Sequence, residues 1–256
     1  MQLPEAEERL SNYLTDTIRE VVRDELGRAR EDGKLFSAPR IYDDLLSSQL
    51  LCFNLFGELK ADLGAATAAA RHLWPGRVEQ VTRIEFEHSP ARGDERYLGN
   101  RTAFDVYLEH TVPGGGAVFI GIEVKYHERL DGSRAANRGR PSEVARRSGV
   151  FVEGSLEVLD RPPFQQLWFD QLLALAMLQH DDRWGGNGLF VLLHPAANPV
   201  CFHVASEYQE HLRHPGSFQR RTLEEVVGVL AAHDADGWVE AFRDRYLDQD
   251  KLRSLA

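Results

Sequence analysis

Apolar and polar residues alternate over 101–110 (RTAFDVYLEH) and 117–128 (AVFIGIEVKYHE), with the glycines at 114–116 between the two stretches. A period of two marks strands, and so short a glycine connection predicts an antiparallel hairpin. VEQVTRIEFEHSP (78–90), which ends at Pro90, predicts a strand before the pair. GLFVLLHP (188–195) predicts a short buried strand after it, and VCFHVA (200–205) is a further candidate. Elsewhere the pattern is helical. Residues 5–31 align Leu10, Leu14, Ile18, Val21 and Val22, as expected of a charged amphipathic helix on the outside of the core. The segment 41–63 is apolar nearly all round and predicts a buried helix, with Ser47, Asn54 and Glu58 on one narrow polar stripe. That stripe needs either polar partners or a solvent edge. Residues 129–163 form an irregular insertion. PPFQQLWFDQLLALAMLQH (162–180) then predicts a helix opened by Asp160 and two prolines, and 223–249 predicts two surface helices.

A helix, a three-stranded meander, a helix and a strand, in that order, predict an α/β sandwich around a mixed sheet. The expected organisation is an N-terminal helical extension (1–40), a core (41–205) and a C-terminal helical appendage (206–256). At 256 residues and 43% hydrophobic content, the chain can bury a full core. It has no run of about 18 apolar residues, and it begins with the acidic MQLPEAEERL. A soluble cytoplasmic protein is therefore expected. Cys52 and Cys201 lie inside apolar runs and read as reduced core thiols. The net charge of −10 disfavours a protein that coats nucleic acid non-specifically, although the potential at one face is what steers a polyanion. Only four lysines occur (Lys34, Lys60, Lys125 and Lys251), so a lysine within a hydrophobic strand stands out.

Sorting the hairpin by face puts Phe104, Val106 and Leu108 on one side of the first strand, and Asp105, Tyr107 and Glu109 on the other. In the second strand Ile120, Ile122, Val124 and Tyr126 oppose Gly121, Glu123, Lys125 and His127. If the apolar faces share one core, Asp105 and Glu123 emerge together with Lys125 beside them. Two carboxylates on rigid strands suit Mg²⁺, and a neighbouring lysine can orient a water or balance developing charge. Glu87, at the end of the strand before the hairpin, is a candidate further ligand. Both segments that leave these strands are arginine-rich: Arg92, Arg96 and Arg101 on one, and Arg129, Arg134, Arg138, Arg140, Arg146 and Arg147 on the other. A basic rim around an acidic centre is what cleavage of nucleic acid needs.

AFD, seventeen residues, then EVK, with a glutamate-bearing helix before and a glutamine-bearing helix after, resembles the PD-(D/E)XK nuclease superfamily, the fold of type II restriction endonucleases. The resemblance spans roughly 42–195 and includes the wording FEHSP…AFDVYLEH…FIGIEVKYHE…FQQLWFDQLL. Phe104 stands where the superfamily name has proline. The resemblance implies a restriction-endonuclease-like αβββαβ core and a metal-dependent nuclease acting on DNA. Mg²⁺, or Mn²⁺ in its place, would be held by Asp105, Glu123 and the Val124 carbonyl, with Lys125 acting on the attacking water. It offers Glu58 as an alternative to Glu87, places Gln166 near the site, and makes a homodimer plausible. Gln171 is expected to be a satisfied core amide, and His127 is an outlying candidate for phosphate contact. The competing reading is an inactive module on the same fold that binds nucleic acid or protein.

Overall fold

A computed structural model describes residues 7, 9–127, 130, 137–181, 184, 186–232 and 237–248. Helices α1 (Asp16–Arg28), α2 (Arg40–Asp43), α3 (Ser48–Ala61) and α4 (Leu63–Leu73) precede a meander of β1 (Gln80–His88), β2 (Phe104–Thr111) and β3 (Ala117–Val124). Helices α5 (Arg140–Ser148), α6 (Leu156–Leu159) and α7 (Gln165–His180) lead to β4 (Gly188–His194), and α8 (Pro199–Glu210) leads to β5 (Phe218–Thr222). Helices α9 (Leu223–Ala231) and α10 (Trp238–Tyr246) follow. The strands form one sheet in the order β1-β2-β3-β4-β5. β1, β2 and β3 pair antiparallel, whereas β3–β4 and β4–β5 are parallel. This is the expected mixed sheet flanked by helices.

The hairpin turn depends on Gly114, Gly115 and Gly116, whose φ angles of 94°, 95° and 98° are open only to glycine. It sets Val106 opposite Ile122 and Leu108 opposite Ile120. The sheet then buries both faces, as a layered α/β fold requires. On one face Val106, Leu108, Ile120, Ile122, Val191 and Leu193 pack with α1, α3, α4, α9 and α10. On the other, Tyr107, Phe119, Phe190 and Leu192 pack with α5, α7 and α8.

Several elements differ from the sequence expectation. Residues 200–205 are helical, because Asn198 accepts from Cys201 N and Pro199 occupies the first turn, and both features favour a helix start. The helix expected over 5–31 is interrupted: residues 10–15 are not helical, and α1 starts at Asp16, capped by Thr15. Upstream, Asn12, Tyr13 and Leu14 bond to Tyr42, Ile41 and Asn54, so that segment is spent on tertiary contacts. The insertion contains α5 and α6. Strand β5 (FQRRT) has no apolar alternation to announce it. The C-terminal helices are not merely superficial: Leu223, Val227, Phe242 and Tyr246 are buried in the core. Phe104 also faces away from Val106 and Leu108 and joins the opposite cluster.

Candidate functional site

The polar residues gather where β1 and β3 end, β2 begins and α7 approaches. The β2–β3 pairing stops at Val106–Ile122. Beyond it, Val124 N donates to Asp105 Oδ2 at 2.8 Å, so a side chain takes over from the ladder and fixes the carboxylate against β3. The ring of Phe104 packs over Gly121, where a Cβ would lie 2.5 Å from it. The glycine therefore makes room for the residue that precedes Asp105.

Glu123 is 4% exposed and Lys125 6%. Lys125 Nζ and Gln166 Nε2 each donate to Glu123 Oε1 at 2.5 Å, which holds that carboxylate from both the sheet and α7. Lys125 N donates to Leu193 O at 2.9 Å, which ties the residue after β3 to β4. Asp170 lies one helical turn beyond Gln166, is 4% exposed, and has an Oδ2 without a hydrogen-bond partner. Sequence reasoning missed it. Its signal is an aspartate four residues after Gln166 in an otherwise apolar helix, hence on the same face.

Glu87 approaches from β1 with φ of 49°, a left-handed conformation that costs a non-glycine residue energy and often marks functional sites. Arg92 Nη2 donates to Glu87 Oε2 at 2.5 Å and Gln49 Nε2 donates to Oε1 at 3.2 Å. Asp105, Glu123, Glu87, Gln166, Asp170, Arg92 and Arg101 all line one cavity of about 430 Å³. A second cavity, of about 940 Å³, shares Arg92 and Arg101 with it and adds Arg30.

The electrostatics follow from this crowding. Burial, and then the charge of Glu123, push the Asp105 and Asp170 carboxyls well above the usual range. Burial also raises Glu87, although Arg92 opposes the shift. Burial works against the Lys125 ammonium, but Glu123 and Asp105 outweigh it, so the amine is held above its ordinary value and is charged at neutral pH.

The remaining candidates lie elsewhere. Glu58 accepts from Thr15 Oγ1 at the start of α1 and does not line the cavity. Asn54 bonds to Asn12, Leu14 and Tyr246, so the polar stripe of α3 serves the N-terminal segment. Gln171 is a satisfied core amide, donating to Ser217 Oγ at 2.8 Å and accepting from Tyr208 OH at 2.5 Å. His127 is exposed beside Tyr126. Arg96 pairs with Asp94 at 2.6 Å. Arg140 donates to the carbonyls of Tyr97 and Arg96, each at 2.9 Å, and so braces a loop. Arg138 is exposed, and Arg134 lies outside the described residues.

All three lysines among the described residues sit in ion pairs. Lys34 Nζ lies 2.6 Å from Glu25 and 2.7 Å from Glu85, and Lys60 Nζ lies 3.0 Å from Glu25, a residue with no exposed surface. Scarce lysine in this chain therefore marks compact paired ammonium groups generally, and Lys125 is one of three. Among the described residues, no group of three or more acidic, histidine or cysteine side chains is arranged to hold a metal ion by itself. No helix in them is long and apolar enough to cross a membrane.

Searches of curated proteins and of solved structures each returned no match. A family profile described as the PD-(D/E)XK nuclease superfamily matches residues 1–248, nearly the whole chain. Its span and the mixed sheet agree, and the chain belongs to the PD-(D/E)XK nuclease superfamily.

Proposed function

We propose that this protein is a divalent-metal-dependent nuclease that hydrolyses phosphodiester bonds of nucleic acid, with DNA as its main substrate. The observation that carries the reading is the convergence of Asp105, Glu123 and Gln166 in a cavity that Arg92 and Arg101 help to line, with Lys125 bonded to Glu123 behind it.

The residues fit a hard divalent cation. The donors are carboxylate oxygens, one Asp170 oxygen lacks a partner, and neighbouring acids repel one another with Lys125 offsetting them. Asp105, Glu123 and the Val124 carbonyl would hold Mg²⁺ or Mn²⁺, with Glu87 as a further ligand. When bound, the ion supplies an acidified water and a counter-charge for the phosphoryl oxygens. The chain's own residues do the rest. Gln166 fixes the Glu123 carboxylate. Lys125 carries a proton, so it orients the attacking water through its N–H groups and stabilises charge developing on the phosphate. Arg92 and Arg101 offset the carboxylates that would otherwise repel the phosphate chain, and Arg30 continues that surface into the adjoining cavity.

A nuclease assay on plasmid, single-stranded DNA and RNA with Mg²⁺ or Mn²⁺ tests this. Wild type is expected to cut, and Lys125→Ala to lose roughly 10²-fold or more in rate while remaining folded. Equal activity in the two preparations would sink the assignment.

A second reading, a module that binds nucleic acid or protein without cutting, draws on the engagement of Glu123 Oε1 by both Lys125 and Gln166. Titration with millimolar Mn²⁺ separates the two readings, since the module requires no metal binding.

A further inference from the structure

We propose that Asp170 is the third carboxylate of the cation site, binding a divalent ion through the ion's own water molecules beside Asp105 and Glu123. This rests on the metal-dependent reading above and adds to it a residue that the nuclease pattern of strand carboxylates does not contain.

The first observation is an incomplete buried group. Asp170 is 4% exposed, lines the same cavity as Asp105 and Glu123, and leaves Oδ2 without a donor. Leaving a buried acceptor unsatisfied is costly, and more so when it is charged, so something other than the protein is expected to complete it.

The second observation is its aim. Gln166 and Asp170 are four residues apart on α7 and project from one face, and Gln166 reaches Glu123 at 2.5 Å. Asp170 thus enters the space around the site from the helix.

The third is the surrounding charge. Glu123, Asp105 and Glu87 all act against the negative form of Asp170, with Lys125 opposing them. Four carboxylates stand against the Lys125 ammonium and the Arg92 guanidinium that pairs with Glu87, and the excess leaves room for added positive charge. These side chains are not gathered closely enough to enclose an ion directly. Mg²⁺ keeps several of its waters, and a carboxylate beyond direct reach can accept hydrogen bonds from them.

Calorimetric titration of the full-length protein with MnCl₂, well below its Tm, tests the proposal on wild type, Asp105→Ala and Asp170→Asn. Thermal unfolding of each without metal accompanies it. Wild type is expected to bind Mn²⁺ and Asp105→Ala to lose binding. Asp170→Asn should bind at least about tenfold more weakly, within the range seen when groups supporting metal ligands are removed. Its metal-free Tm should be unchanged or higher, because the amide keeps the shape without the repulsion that the neighbouring carboxylates exert on an acid there; a purely structural aspartate would lose Tm and keep its Mn²⁺ affinity. Wild-type affinity in Asp170→Asn overturns the assignment of Asp170 and leaves the metal reading standing. No Mn²⁺ binding by the wild type removes both.

Discussion

Phe104 and Gly121 show how one residue sets the position of another's chemistry. The ring lies where any Cβ at position 121 would be, and Asp105 is the next residue after the ring. Gly121→Ala is therefore expected to cost about 1–3 kcal/mol, the usual range for overpacking, and to weaken Mn²⁺ binding because Phe104 drags Asp105 with it. Urea unfolding and Mn²⁺ titration of one preparation check both halves. Glu123 and Lys125 were legible in the sequence because alternation puts them on one face, whereas Asp105 joins them although alternation breaks between Phe104 and Val106. Gln166 was legible only by resemblance. Asp170 was missed because α7 is buried nearly all round and its pattern gives no preferred side, so that only its spacing from Gln166 marks it. Glu58 misled for a related reason: its stripe is polar, but what it faces is the start of α1.

Between elements, the group formed by Glu25, Lys34, Glu85 and Lys60 joins α1 and α3 to β1, the strand that ends in Glu87. Burial works against the Glu85 carboxylate, but the hydrogen bond from Lys34 and the charge of Lys60 outweigh it and lower its pKa below 4.5. Burial likewise opposes the Lys34 ammonium, and its bonds to Glu25 and Glu85 raise it above 10.5. The lowered acid contributes stability that is present above pH 4.5 and lost as pH falls through its folded value. The raised amine contributes stability that is present below pH 10.5 and lost as pH rises through its folded value. Denaturant midpoints should thus fall on the acid side of pH 4.5. Lys34→Met should lower stability at pH 7 by about 3 kcal/mol, because Glu25 is left fully buried with less compensation, and should flatten the acid limb. An unchanged acid limb in the variant would contradict the pairing. The hairpin was predictable because its alternation is periodic, and α7 because its apolar run is long and opens on two prolines. Residues 200–205 were not, since β-branched and aromatic residues there outweighed the Asn198-Pro199 start signal, and β5 lacks apolar alternation altogether.

At the scale of the whole molecule, the last described helix braces the region of the site. Tyr126 OH, next to Lys125, donates to Tyr246 O at 2.8 Å. Asn54 donates to Tyr246 OH at 2.8 Å, and Arg245 reaches back to Asn12 O at 2.5 Å. A chain stopped after residue 232 would lack Trp238, Val239, Phe242 and Tyr246, all buried. At about 1.5–3 kcal/mol for each large apolar side chain, the loss rivals the whole stability of an ordinary domain. The shortened chain is expected to lack a cooperative thermal transition by circular dichroism, and a wild-type-like transition would show that α10 is dispensable. The same brace gives the protein an order of completion. A ribosome that has just emitted α9 has already made every carboxylate of the site and Lys125, but not the tyrosine against which the end of β3 leans. The nascent polypeptide therefore carries all of its proposed cutting chemistry before the residue that braces Tyr126 has been made.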